Sequence, residues 1–462
     1  MKKRIVALAL MLLLILAVGP AMSAANIISV CLDGRFLSFD VSPVMENNRV
    51  YVPMRAIFEA LGAEVEWQAT ENKIIATKGD TEIILTVGST RAHINGVESG
   101  LDAAPIVIGG RTLVPLRFVS QALDYPVEWD GAVSTVFIGQ RPERPPYTIR
   151  SETINGRFVN IVEIAPGALT PSIYVANNRI ASHQNMEQMV EATGAIIAIN
   201  GTFFEAYGSD GYYEPNGTLN KDGKLIHRGS VGTTIGFTSD GKVLMDALDI
   251  RIEGGVNGSW GWPNNWYAYG LNHRPGENGV FIYTREWGSA VGLSRGVSVA
   301  VTNGVVTSVV RDSDIAIPAN GYVINICGTE INQLGSRFKV GDTVDYRIIY
   351  GNTAFSSAVT AVGAGPRLVK DGAAFYNPTG EGFTSTRILN DSASRSAIGV
   401  KSDGTIVLVT TSATVSQLSE IMHSLGCVQA MNLDGGASSG LYVQGRFITR
   451  PGRNLSNILY FK

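Results

Sequence analysis

Near the C-terminus the chain reads Asn432-Leu433-Asp434-Gly435-Gly436-Ala437-Ser438-Ser439, a stretch that concentrates residue types able to do chemistry. Gly435 and Gly436 let the main chain approach a ligand and turn N–H groups toward it, which suits an anion such as phosphate. An aspartate beside such a loop can serve as a base, a nucleophile or a metal ligand. The plainer reading is an Asx-type turn between two strands. Four other segments carry polar or glycine residues at strand ends: Asn200-Gly201, Gly363-Ala364-Gly365-Pro366-Arg367, Arg395-Ser396 and Arg453-Asn454. Singly, each of these also reads as a turn or a solvated charge. Glu205 and Glu214 are candidate second carboxylates.

Such residues need elements to hold them. The apolar run Cys427-Val428-Gln429-Ala430-Met431 predicts a buried strand that delivers Asn432 and Asp434 to its end, and Ala198-Ile199 does the same for Asn200. Further strands are predicted over 196–199, 234–237, 297–301, 346–350, 398–400 and 406–409. Helices are predicted over 184–192 and 415–425, the second with Ser416 as N-cap and Gly426 as its stop. The fold class expected is α+β, with a strand-rich C-terminal catalytic domain behind a small duplicated α+β domain.

Composition limits the function classes. Met1-Lys2-Lys3-Arg4, an apolar run from Ile5 to Val18 and the small residues to Ala25 read as a signal peptide, residues 1–25, too short for a membrane span. Its removal takes Lys+Arg from 37 to 34 against 40 Asp+Glu. An acidic mature chain argues against a nucleic-acid partner and against docking on an anionic membrane. The expected location is secreted or cell-surface, with no transmembrane span after cleavage. Five scattered histidines and three cysteines show no metal-ligand spacing, so neither metal nor other cofactor is expected. Cys327 and Cys427 read either as a disulfide or as two buried thiols. Trp260, Trp262 and Trp266 form a cluster that is either a packed loop or a wall for a sugar ring.

The N-terminal third repeats. Val50-Tyr51-Val52-Pro53-Met54-Arg55 matches Thr112-Leu113-Val114-Pro115-Leu116-Arg117 at an offset of 62, which also pairs Asp40 with Asp102 and Trp67 with Trp129. Each unit predicts a hairpin, a helix with proline at its first position (53–61 and 115–123) and further strands. This stretch, residues 27–139, resembles the copper amine oxidase N-terminal-like or stalk domain through its V-P-x-R and V-E-W segments. Nothing in it suggests copper, and a spacer or adhesion role is expected. Residues 140–147, with three prolines in a charged run, read as a stiff linker.

The C-terminal motifs, taken together and in order, resemble the phosphodiester glycosidase family over residues 148–462. The motifs are Asn200 to Phe204, Arg395 to Gly399, Asn432 to Ser438 and Arg453, with Asn272-His273-Arg274-Pro275 as a central segment. Ala437 departs from a third glycine. The resemblance implies hydrolysis of a sugar, N-acetylglucosamine-like, from a phosphodiester at its anomeric carbon, on cell-wall or surface polysaccharide. It implies Asp434, Arg395 and Asn200 as catalytic, and Gly201, Gly435, Gly436, Ser438, Ser439, Arg453, Arg274 and Gly365 as substrate-binding. A phosphate monoester is a weakly basic leaving group, its second pKa about 6, so arginines can replace the general acid. Loop N–H donors are expected to lower the pKa of Asp434, making it a base, nucleophile or oxocarbenium stabiliser. The alternatives are a phosphodiesterase cutting the P–O bond and a non-catalytic polysaccharide-binding protein.

Overall fold

A computed structural model describes residues 28–37, 39–131, 135–141, 146–208, 211–229, 232–274 and 276–462. The expected signal peptide and residues 142–145 of the expected linker lie outside them. The chain divides into two compact units between Arg141 and Pro142. No helix among the described residues is long and apolar enough to cross a membrane.

The described residues of the N-terminal unit form three antiparallel-rich sheets and two short helices. Segments that match at offset 62 form like elements. Strand Arg49–Pro53 leads into helix Met54–Ala60, and strand Arg111–Pro115 into helix Leu116–Ala122. Pro53 and Pro115 are N-caps in extended conformation, one residue earlier than the sequence reading places them. A fixed φ near −60° suits the last strand residue as well as the first helical one. The two strands pair antiparallel with Val52 opposite Val114, residues that are themselves 62 apart. Both are fully buried and share a core with Ile57, Phe58 and Val119.

The larger unit is strand-rich. Its seven-stranded sheet runs, in spatial order, Tyr147–Ile154, Arg157–Ile164, Ile406–Ala413, Ala393–Lys401, Cys427–Asn432, Arg367–Lys370 and Ala373–Ala374. A five-stranded sheet runs Pro171–Val175, Asn457–Phe461, Ile197–Asn200, Leu441–Val443 and Arg446–Thr449. Central strands such as Ile197–Asn200 are buried along their whole length, which explains their unbroken apolar runs. Helix Val415–Ser424 buries Leu418, Ile421 and Met422 against the larger sheet, beside Val409 and Ala430. Its cap is Thr414 rather than Ser416. Thr414 and Gln417 form a reciprocal capping box, two bonds where a Ser416 start would make fewer. Gly426 follows at φ 80° and ends the helix.

Cys327 and Cys427 are separate buried thiols. The Cys327 Sγ donates to Oδ1 of Asn325 at 2.7 Å. Burial pushes the Cys427 thiol up to about 12.

Candidate active site

The site starts where two buried strands end. Strand Ile197–Asn200 belongs to the five-stranded sheet and Cys427–Asn432 to the seven-stranded one. Past their ends the chains bond to each other. The Asp434 N–H donates to the Gly201 carbonyl at 3.0 Å, and Nδ2 of Asn200 donates to the Asp434 carbonyl at 2.7 Å. Oδ1 of Asn200 accepts from the Ser396 hydroxyl at 2.7 Å and from the Gly440 N–H at 3.0 Å. Both polar atoms of this buried amide are therefore engaged by protein. The sequence reading counts Asn200 as catalytic; in the structure its amide holds the loop of Asp434. Gly201 is needed for close packing, because a Cβ there would lie 1.9 Å from Oδ1 of Asn457.

Asn432 and Gly365 tie a second corner to this loop. The Gly365 N–H donates to the Asn432 carbonyl at 2.8 Å, and Nδ2 of Asn432 donates back to the Gly365 carbonyl at 2.8 Å. Gly365 adopts φ 106°, a conformation open only to glycine. Its part is to hold the end of the strand that leads to Asp434.

The Asp434 carboxylate accepts the Gly435 N–H at 2.8 Å and a hydrogen bond from Ser438. These donors, with Arg453 and Arg395 nearby, favour the charged form. Desolvation outweighs them and pushes the carboxyl up to about 6. The expectation of a lowered pKa is thus overturned: the loop supplies the expected donors, but the fold around it removes more water than they replace. Gly436 adopts φ 63° with open space where a side chain would stand. At Gly435 a Cβ would meet the Ser394 carbonyl at 2.9 Å. Ala437 needs no glycine; it sits outside the left-handed region and its carbonyl accepts the Gly452 N–H at 2.8 Å. Ser439 is buried and its hydroxyl has no partner among the described residues.

The two arginines differ. Arg395 is 3% exposed and donates from Nε to Ala413 O at 3.2 Å and from Nη2 to the carbonyls of Arg387 and Asp391, both at 2.7 Å. Burial lowers its pKa. Its Nη1 faces the loop, 3.7 Å from where a Gly435 side chain would begin. Arg395 is thus an anchored charge with one nitrogen toward the site. Arg453 is half-buried, and its guanidinium stacks on the ring of Tyr207, 4.7 Å from the centroid, and donates to that hydroxyl.

Arg274 joins the neighbouring loops instead. Its N–H donates to Oε1 of Glu214 at 3.0 Å, and its guanidinium lies 5.7 Å from the ring centre of Tyr212. Glu214 also meets Nδ1 of His273 at 3.2 Å, and burial raises its pKa. The Glu214 carbonyl accepts the Glu205 N–H at 2.9 Å, which connects this carboxylate to the chain leaving Asn200. Glu205 itself is exposed and accepts only a long bond from the Tyr207 N–H, 3.4 Å.

Sequence reasoning missed Tyr207, His273 as the partner of Glu214, and Glu381. Glu381 accepts the Arg367 N–H at 2.7 Å and the Thr233 hydroxyl at 2.6 Å, and it braces the Gly365 corner. It lies in a short turn with no local signal, and only the packing of distant strands reveals it. The tryptophan cluster splits: Trp266 is core, whereas Trp260 and Trp262 are partly or largely exposed and carry Arg347 and Arg337 on their faces. Among the described residues no three His, Cys, Asp or Glu side chains cluster as a metal site would.

A Brevibacillus choshinensis protease inhibitor is 31% identical over 108 residues, 23% of this chain. The chain spans about a third of the length of that curated relative, 33%. A hypothetical protein from Synechocystis shares the fold with TM-score 0.63 at 19% identity, covering 95% of this chain and 99% of its own. A Burkholderia pseudomallei protein named as exported aligns with TM-score 0.54 at 19% identity, covering 66% of this chain and 74% of its own. Residues 31–138 match the copper amine oxidase N-terminal domain. Residues 295–462 match the phosphodiester glycosidase family, a segment that contains Gly365, Arg395, Asp434 and Arg453 but not Asn200 or Arg274. By these two matches the chain carries the phosphodiester glycosidase signature behind a copper amine oxidase N-terminal domain.

Proposed function

We propose that the larger unit hydrolyses a sugar phosphodiester at the anomeric carbon, outside the cell, on a wall or surface glycan. One observation carries this reading: the Asp434 carboxyl stands in an electrostatic frame of two arginines, Arg395 and Arg453. In this scheme the anomeric C–O bond breaks, phosphate monoester leaves with the electron pair, and water oxygen ends on the sugar. Arg453 and Nη1 of Arg395 neutralise the departing phosphate. With its carboxyl at about 6, Asp434 is mostly ionised at neutral pH and still close enough to exchange a proton. It acts on the sugar side as nucleophile or stabiliser of the oxocarbenium ion. Ser438 and the Gly435 N–H hold its orientation. Glu214, its pKa raised by burial, is a candidate second carboxyl.

The test is hydrolysis of N-acetylglucosamine-1-phosphodiester in heavy-oxygen water. Label on the sugar supports the proposal. Label on phosphate overturns it in favour of P–O cleavage, and absence of turnover with this substrate overturns the activity on that sugar.

A further inference from the structure

The N-terminal unit contains two clefts built from corresponding residues. One is lined by Arg49, Asp102, Leu116, Arg117 and Trp129. The other is lined by Arg111, Asp40, Met54, Arg55 and Trp67. The members of each pair stand 62 positions apart, and the pairing of Val52 with Val114 relates them by a local two-fold. Each cleft is completed across the two halves. Arg49 reaches Asp102 at 3.0 Å, and Arg111 reaches Asp40 at 2.5 Å.

In the core several matched positions differ, with Met54 against Leu116, Ile57 against Val119 and Phe58 against Ser120, while Val52 and Val114, and Leu61 and Leu123, are the same. A core asks for apolar bulk rather than identity. At the clefts two arginine pairs, the aspartates and the tryptophans are identical. Exposed ion pairs contribute at most about 1 kcal/mol to stability, too little to require this sameness.

We propose that the N-terminal unit is a bivalent glycan-binding module, with one sugar seated in each cleft and an acidic sugar preferred beside Trp129. An indole face suits the C–H face of a pyranose, and Trp129 is 38% exposed in its cleft. The neighbouring arginine and aspartate set donors and acceptors side by side, the pattern adjacent hydroxyls require. The clefts differ in charge. Arg55 is partnered by Glu59 at 3.5 Å, whereas position 121 is Gln and Arg117 has no partner among the described residues. Arg117 therefore offers its fork to a carboxylate or phosphate.

The full chain is titrated calorimetrically with three probes: a hyaluronan octasaccharide (carboxylate), a phosphomannan fragment (phosphate) and chitohexaose (neutral). Saturable binding of at least one acidic probe is expected, tighter than chitohexaose by about tenfold. Arg117→Ala and Trp129→Ala each weaken it about tenfold or more, and Arg55→Ala less. Arg117 is exposed, so its variant keeps the fold, as circular dichroism will show. Failure of both acidic probes, equal binding of chitohexaose, or unchanged affinity in Arg117→Ala and Trp129→Ala overturns the proposal. Whichever acidic probe binds tighter identifies the anion.

Discussion

Nδ2 of Asn200 donates to the main-chain carbonyl of Asp434 at 2.7 Å, across 234 residues of chain. The same amide accepts from Ser396 and Gly440, so one buried side chain joins three segments at the floor of the site. Asn200→Ala should therefore cost about 2–4 kcal/mol, since it strands three buried polar groups. Thermal melting reads the loss. Turnover of the folded fraction should also fall, because the loop carrying Asp434 is no longer held. Full stability in Asn200→Ala would show that the bond network is dispensable.

Asp434 predicts a pH dependence. If its ionised form reacts, kcat/KM should rise with pH and level off above an apparent value of about 6. Asp434→Asn should lose about 100-fold or more and flatten that limb. A wild-type limb centred near 4 would contradict the buried environment described above.

The same residue predicts a stability trade. Its folded pKa lies above the ordinary carboxylate value, so the fold favours the neutral form. That contribution is complete below about pH 4 and is lost as pH rises through about 6, where the buried charge becomes a cost. Asp434→Asn should be more stable than wild type at pH 8, by on the order of 1 kcal/mol after the lost Gly435 and Ser438 bonds are counted. The advantage should vanish below pH 4. Denaturant melts at the two pH values measure it.

Arg453 and Arg395 should separate binding from scaffolding. Arg453→Ala removes a half-exposed charge on Tyr207, so kcat/KM should fall about 100-fold with little change in melting temperature. Arg395→Ala also strands three main-chain carbonyls and should cost about 3 kcal/mol. Equal melting temperatures for the two variants would contradict the anchoring of Arg395.

Gly201→Ala tests close packing. A Cβ placed 1.9 Å from Oδ1 of Asn457 must displace it, with a cost of about 1–3 kcal/mol. Calorimetric melting checks this, and normal stability would mean that the Asn457 side chain moves freely.

The sequence by itself determined the local elements and the motifs. An unbroken apolar run marked the strand that ends at Asn200, because a strand buried on both faces needs no alternation, and a run interrupted only by Gln429 marked the strand that ends at Asn432. Gly426 marked a helix stop, and the offset of 62 marked the matched halves of the N-terminal unit. Those signals lie within a few residues or in a fixed repeat. Tertiary structure alone decided that Asn200 bonds the loop of Asp434, that Arg395 is tied to three carbonyls, and that Glu214 meets His273. It also reversed the expected shift of Asp434. Hydrogen-bond donors are encoded beside a residue, but exclusion of water depends on every segment packed around it. That is why the sign of the pKa shift was illegible until the two sheets came together.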